Sequence, residues 1–342
     1  MKTNNDIRIK NLADCLLLGF YGTNIDDPEV IQVKELLREN NKEGIRGFVL
    51  YKHNVKNPEQ LKHLIAFLKD GTRKDIIIAI DQEGGKVMRL NPQNGFDLPM
   101  KAAADYTSAE EVYDTYHEWG KILSDLGITM NFAPVVDVNI NPTSPAIGKI
   151  GRSFSSDPKT VASYGSEALK GLKAAGVDGC LKHYPSHGSA DKDSHLGFTD
   201  ITHTWQKEKE LYPFIALKDQ APYIMVGHLF NSNIDPEFPA SMSKKTYDML
   251  NGFTGELITD CYYMKAISDK YKEHEFALTA INAGADLLIF GGRPILPFIG
   301  DMVKQLHYNY HFASFLNTDE DSILLAGQGA TSLEHTNEVS EL

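Results

Sequence analysis

The segment DIIIAIDQE, residues 75–83, is an unbroken apolar run that stops on a carboxylate. A run of this length with no polar alternation suits a strand covered on both faces, as in a parallel sheet flanked by helices. Asp81 then stands at the C-terminal end of that strand. Immediately before it lies NPEQLKHLIAFLKD, in which Leu61, Leu64, Ile65 and Leu68 fall on one stripe of a helix.

The same alternation extends in both directions. Strand candidates are DCLLLGFYG (14–22), GIRGFVLYK (44–52), ITMNFAPVVDV (128–138), GCLKHYPS (179–186), PYIMVGHLF (222–230), ELITDCYY (256–263) and ADLLIFGG (285–292). Between them lie helix candidates with recognisable ends. DPEVIQVKELLREN offers Asp27 as an N-cap with Pro28 in the first turn. SAEEVYDTYHEWGKILSDLG and DPKTVASYGSEALKGLKAAG end in glycine. WQKEKELYPFIALKD, SKKTYDMLNGF and MKAISDKYKEHEFALTAINAG continue the series, and PILPFIGDMVKQLHYNY follows the last strand. Eight strand–helix pairs in order predict an α/β fold, a single (β/α)8 TIM-like barrel. The rival doubly wound sheet wants a glycine-rich first turn, and GFYGTNIDD lacks GxGxxG spacing. Residues 318–342 are polar and aperiodic and are expected to form a flexible tail beyond a barrel spanning 1–317.

Composition narrows the partners. The 342 residues carry a formal net charge of −12, which disfavours a nucleic-acid backbone and anionic membranes. The N-terminal stretch lacks the continuous apolar core of a signal peptide, and no segment is long enough to span a bilayer, so a cytoplasmic monomer is expected. Cys15, Cys180 and Cys261 are odd in number and far apart, which reads as buried thiols rather than a disulfide framework.

In a barrel of this kind the chemistry sits at the C-terminal ends of the strands. Those ends are polar throughout: DQEGG, DVN, KHYPSHG, GHLFN and TDCYYM. In DQEGGKVMRL, Asp81 can accept hydrogen bonds from neighbouring sugar hydroxyls, Gly84 and Gly85 permit a tight turn, and Arg89 can return toward the site; the bland alternative is a helix cap and a surface arginine. Arg152, in IGKIGRSF, can clamp a ligand oxygen or pair with an acidic loop. KHYPSHGSADKDSH (182–195) gathers three histidines, two lysines and two aspartates in a segment too polar for a core. Lys182 and His183 leave the strand at the mouth. Asp193 two residues before His195 can hold and polarise the imidazole, the setting of a general acid that later serves as base. A metal reading would converge His183, His187 and His195 with Asp191 or Asp193, but HExxH spacing is absent and no metal is expected. A solvated surface loop is the third reading. Asp260 ends the apolar run of ELITDCYYMKAI, where it reads as a carboxylate nucleophile or as a helix cap.

Taken together, DQEGGKVMRL, NFAPVVDVNINPTSPAIGKIGRSF, KHYPSHGSADKDSHLGF and TDCYYMKAI resemble the glycoside hydrolase family 3 β-N-acetylhexosaminidases of the bacterial cytoplasmic type, over about residues 10 to 300. The resemblance implies a catalytic barrel over 1–317 that releases terminal β-linked N-acetylglucosamine, from cell-wall muropeptides, with retention and no cofactor. It further implies Asp260 as nucleophile, His195 as acid/base with Asp193 as its partner, and Asp81, Arg89, Arg152, Lys182 and His183 as the residues that hold the sugar. Three positions depart from the family pattern: Lys86 where arginine is frequent, Ser186 where glycine is usual, and Cys261 where a second acidic residue is usual. Relatives acting as β-glucosidases commonly carry a second α/β domain, for which this length leaves no room. Three other readings stay open. They are phosphorolysis with phosphate as acceptor, a catalytically inactive carbohydrate-binding barrel, and a metal-dependent hydrolase that a chelator would silence.

Overall fold

The structure is a computed structural model that describes residues 12–38 and 45–291. Eight parallel strands close into a barrel: β1 (Leu16–Leu18), β2 (Gly47–Leu50), β3 (Ile77–Ile80), β4 (Met130–Asn131), β5 (Asp178–Tyr184), β6 (Tyr223–Val226), β7 (Glu256–Cys261) and β8 (Leu287–Phe290). Each pairs with the next, and β8 pairs with β1 through Leu16–Leu288, Leu17–Ile289 and Leu18–Phe290. Every strand candidate overlaps one of these strands. The expected (β/α)8 barrel is therefore the fold; the tail at 318–342 and the helix candidate at 294–310 lie outside the described residues.

The pleat divides each strand between two cores. Leu17, Val49, Ile77, Ala79, Cys180 and Ile258 point inward and pack together inside the barrel. Their neighbours Leu16, Leu18, Phe48, Leu50, Ile78 and Ile80 point outward and pack against the helices. The purely apolar runs are explained by this double burial. On the outer layer, α1 (Pro28–Arg38) and α2 (Pro58–Lys69) lead to the longer α3 (Ala109–Leu126) and α4 (Pro158–Ala174). In α2 the stripe Leu61, Leu64, Ile65 and Leu68 is buried, and Asn57 caps the helix by accepting the Gln60 amide at 2.9 Å. Truncating one of those leucines to alanine would cost about 2–5 kcal/mol. Ser108 and Asp157 cap α3 and α4 in the same way.

Several expected elements are shorter than the sequence pattern suggests. The run 128–138 supplies only Met130–Asn131 to the barrel ladder, because Pro134 has no N–H to donate; pairing resumes at one bridge, Val135 with Lys182. The run 222–230 stops at Val226, and Leu229–Phe230 forms a separate parallel ribbon with Thr199–Asp200. The helix at 205–219 divides into α5 (Lys207–Glu210) and α6 (Tyr212–Leu217), with Pro213 in the first turn of α6. Ser243 caps a short α7 (Lys244–Asp248). The helix at 264–284 divides into α8 (Lys265–Ser268) and α9 (Glu273–Ala283): Tyr262 Oη donates to the Tyr271 carbonyl at 2.7 Å, and the Glu275 carboxylate accepts the Lys272 amide to start α9. Asp27 precedes Pro28 as expected, with its carboxylate accepting the amides of Thr23 and Asn24 in the turn before the helix.

Candidate active site

The inward-facing series of each strand ends at the barrel mouth, and there it changes from apolar to polar. Two residues beyond Ala79 comes Asp81, beyond Cys180 comes Lys182, beyond Ile258 comes Asp260 and beyond Val49 comes Tyr51. All four line one pocket of about 440 Å³. Ladder irregularities between Leu181 and Tyr184 and between Ile258 and Cys261 accompany a second residue at the pocket wall, so that His183 joins Lys182 and Cys261 joins Asp260. Every residue to which the resemblance gives a catalytic or sugar-holding role lines this pocket: Asp81, Arg89, Arg152, Lys182, His183, Asp193, His195 and Asp260.

One wall is a buried chain of alternating charges. Asp81 accepts from Lys182 Nζ at 2.8 Å and from Arg89 at 2.9 Å. Lys182 also contacts Glu83 at 2.5 Å, and Glu83 accepts from Nε and Nη2 of Arg152 at 2.7 and 2.8 Å. Burial would raise Asp81, yet Lys182 and Arg89 hold its carboxyl far below the usual carboxylate range. Burial likewise opposes the ionised Glu83, and Arg152 and Lys182 outweigh it, leaving the carboxyl at about 2. The reciprocal effect keeps Lys182 charged despite desolvation, through Asp81 and Glu83. Charges buried this deeply are tolerated because Asp81, Lys182, Glu83 and Arg152 each make at least two polar contacts. The tight turn after β3 is made by Gly84 at φ +94° and Gly85 at φ +55°; a side chain at Gly84 would strike the Lys101 carbonyl. That turn carries Arg89 back over Asp81.

His183 forms the next link. Its Nε2 stands 3.2 Å from Arg152 Nη2, and its Nδ1 stands 2.7 Å from Asp137 Oδ2. The Lys182–His183 and Tyr184–Pro185 peptide bonds are cis. Across the pocket, Asp260 accepts the Cys261 amide at 2.7 Å. Burial would raise the Asp260 carboxyl, but the imidazoles of His228, His183 and His195 and the Cys261 amide outweigh it and hold it below its ordinary value. It is thus an ionised, pocket-facing carboxylate. Cys261 is only partly buried and lines the pocket, unlike the buried Cys15 and Cys180, and all three thiols are free. Burial pushes its thiol up to about 11, so it is protonated at neutral pH; Sγ donates to the Gly291 carbonyl at 3.1 Å.

The 182–195 segment differs from a solvated loop. Ser186, His187, Gly188, Ser189 and Ala190 are buried, and only beyond Ala190 does the chain emerge. It is tied down along its length: Ser189 N donates to Glu210, Asn141 donates to the Ala190 carbonyl, His187 Nε2 meets Ser194 Oγ at 3.1 Å, and Ala266 N donates to the Ser194 carbonyl. This frame presents Asp193 and His195 at the mouth. His195 Nδ1 lies 2.9 Å from Asp193 Oδ1, which also accepts the His195 amide at 3.0 Å. A carboxylate only accepts, so Nδ1–H donates and Nε2 is left to exchange protons with a ligand. Burial would raise Asp193, yet its hydrogen bonds to the His195 amide and ring hold it below its ordinary value.

The three histidines do not converge. His183 and His187 have ring centroids 6.0 Å apart, with His183 Nδ1 on Asp137 and His187 Nε2 on Ser194, Asp191 is exposed, and among the described residues no group of three or more acidic, histidine or cysteine side chains could hold a metal. Four contributors were not singled out from the sequence: Glu83, Asp137, Tyr51 and His228. Three of them stand in the polar strand ends DQEGG, DVN and GHLFN, so strand position was their only signal.

The matches to known proteins agree with this architecture. The model of the glycosyl hydrolase family 3 N-terminal domain matches residues 24–310. The chain is 34% identical over 273 residues to beta-hexosaminidase A of Pseudoalteromonas piscicida, covering 72% of this chain and 45% of that protein. It is 36% identical over 247 residues to beta-hexosaminidase LpqI of Mycobacterium tuberculosis, covering 67% and 62%. Both relatives are therefore substantially longer than the part matched. A glycoside hydrolase family 3 beta-N-acetylglucosaminidase from Paenibacillus superposes with a TM-score of 0.77 at 30% identity, covering 97% of this chain and 65% of that one. With the family model covering β2 to β8 and every residue that lines the pocket, this chain belongs to glycosyl hydrolase family 3.

Proposed function

We propose that the protein is a retaining exo-β-N-acetylglucosaminidase. The observation that carries this reading is the presence, in one pocket, of an ionised carboxylate at the end of β7 and an Asp193/His195 pair at its mouth, opposite a wall of paired charges able to hold sugar hydroxyls. The acetamido sugar is supported by the relatives, named beta-hexosaminidases and beta-N-acetylglucosaminidase. Muropeptide glycosides, and with them a cytoplasmic role in cell-wall recycling, are the substrates and setting we propose from the sequence resemblance.

The chemistry balances in two steps. Asp260 attacks the anomeric carbon as the bond to the leaving oxygen breaks, and His195 Nε2 supplies that oxygen with a proton. His195 then takes a proton from water, which attacks the same carbon and releases Asp260 from the glycosyl ester. Two inversions give retention. In the commoner two-carboxylate arrangement the acid is a second carboxyl group; an imidazole avoids placing a second anion beside the nucleophile. Asp81, Arg89, Arg152, Lys182 and His183 hold the sugar in this reading.

The test is release of nitrophenol from the β-N-acetylglucosaminide and the β-glucoside, with and without phosphate, with Asp260→Ala as blank. Turnover of the acetamido sugar, independent of phosphate and lost in the variant, is expected. Phosphate-dependent formation of a sugar phosphate would replace hydrolysis with phosphorolysis, and binding without turnover would leave a carbohydrate-binding barrel.

A further inference from the structure

Asp137 follows β4 and is wholly buried, with no contact that the two-step chemistry uses directly. Its carboxylate nevertheless collects three donors from the segment that leaves β5. Oδ1 accepts the His187 amide at 2.7 Å and the His183 amide at 3.2 Å, while Oδ2 lies 2.7 Å from His183 Nδ1. A buried carboxylate placed on both a histidine ring and the backbone amides around it is arranged to fix that ring's orientation and proton.

The two faces of the His183 ring report the same assignment. A carboxylate only accepts, so Nδ1 must donate to Asp137. Arg152 only donates, so Nε2, 3.2 Å from its Nη2, must accept. We infer that Asp137 is a positioning residue that holds the ring proton of His183 on Nδ1 and thereby presents the Nε2 lone pair to the sugar as an acceptor, beside the donor Arg152.

The consequence concerns the ligand. Arg89, Arg152 and Lys182 offer only N–H groups, and a sugar hydroxyl both accepts and donates. A hydroxyl seated between Arg152 and His183 takes the guanidinium N–H that Nε2 otherwise accepts and gives its own proton to the freed Nε2 lone pair. An ether or a deoxy carbon at that position loses the second bond. Without Asp137, the ring is free to carry its proton on Nε2, where it would face the Arg152 N–H donor against donor.

This inference rests on the glycosidase reading for its kinetic consequence and stands apart from it in its spectroscopic one. With ¹⁵N-histidine labelling, and His183→Gln to assign the resonance, the wild-type chain should show His183 protonated at Nδ1 and unprotonated at Nε2. Asp137→Asn keeps an oxygen for the two amides and should shift the proton to Nε2. It should lower kcat/KM about 10–100-fold, the effect of one unmet buried polar group, and by the same factor for good and poor leaving groups. Proton placement on Nε2 in the wild type, an unchanged tautomer or unchanged activity in Asp137→Asn, or a loss confined to poor leaving groups would each overturn it. Should Asp137→Asn fail to fold, the wild-type spectrum alone decides. Absence of turnover in the wild type would instead refute the glycosidase reading, leaving the tautomer measurement intact.

Discussion

His228 Nε2 lies 3.0 Å from the carbonyl oxygen of Cys261, the residue directly after Asp260. A carbonyl only accepts, so Nε2–H donates and Nδ1 accepts from Ser241 Oγ at 2.8 Å. Burial lowers the basicity of this ring, against the opposing pull of Asp260 and the Cys261 carbonyl. The bond immobilises the residue whose amide binds Asp260 Oδ1. His228→Ala should therefore lower kcat by about 10²-fold, the effect of a misplacement of about an ångström, with little change in KM. His228→Gln, which can donate to the same carbonyl, should recover part of the loss. A rise in KM at constant kcat would place His228 in sugar binding instead.

Asp260→Ala removes the atom that would form the covalent intermediate. Loss of turnover on the order of 10⁴-fold or more is expected, as for removal of other nucleophiles, with an unaltered thermal transition. Residual activity near wild type would remove Asp260 from the reaction.

His195→Ala should separate substrates by their leaving groups. A poor leaving group needs its proton, so a natural glycoside should slow by about 10²–10⁴-fold, while a nitrophenyl or dinitrophenyl glycoside should slow much less in the glycosylation step. Azide, which needs no base, should restore turnover where hydrolysis of the intermediate limits. Equal loss across leaving groups would deny His195 the role of acid.

Much of this was legible in the sequence because the pleat converts one-dimensional order into position. A run such as Ile77–Ile80 must alternate between barrel interior and helix layer, so the next inward residue, Asp81, falls at the mouth. The same count delivers Lys182 and Asp260. Glu83, Asp137 and His228 were not resolved, because their roles lie in pairings across long sequence separations: Glu83 with Arg152, Asp137 with His183, His228 with the Cys261 carbonyl. The segment 186–190 misled for a related reason. Its composition suits solvent, but Asp137, Asn141, Ser194 and Glu210 hold several of its polar groups inside the protein. Two element lengths failed where a single proline, Pro134 or Pro213, interrupts a pattern that is otherwise periodic, and two others, 222–230 and 264–284, failed where the chain turns to other partners.

Glu210 and His187 anchor that segment with opposite responses to pH. Burial pushes the Glu210 carboxyl up to about 7 and pushes the His187 imidazole down to about 4. The folded state thus binds more protons at Glu210 than the unfolded chain between about pH 4.5 and 7, so this group's contribution falls as pH rises through that window. At His187 the folded state binds fewer protons between about pH 4 and 6.5, so its contribution rises with pH. Each effect is on the order of 3 kcal/mol, and in the parent they largely offset. Glu210→Gln should make stability climb from pH 5 to 7 more steeply than in the parent, and His187→Gln should make it decline. Denaturant titrations at the two pH values measure both slopes, and parallel profiles in all three proteins would contradict the assignment.

Ser186 has φ +111°, the one non-glycine residue with positive φ among those described. This region is costly for a side chain, by about 1–3 kcal/mol. Its Oγ accepts the Gly188 amide at 3.3 Å, a long bond, and the hydroxyl also bonds the Glu210 carboxyl; together these return only part of that cost. Glycine at this position removes the clash but enlarges the freedom of the unfolded chain by about 0.4–1 kcal/mol. Ser186→Gly should consequently stabilise the protein by about 1 kcal/mol, read as a higher denaturation midpoint. Ser186→Ala keeps the Cβ and loses the hydrogen bonds, so it should destabilise. The two substitutions thereby separate backbone strain from the hydroxyl's bonds. If glycine destabilised as much as alanine, the hydroxyl would outweigh the strain, and Ser186 would hold the segment under His195 through its side chain instead of merely tolerating the turn.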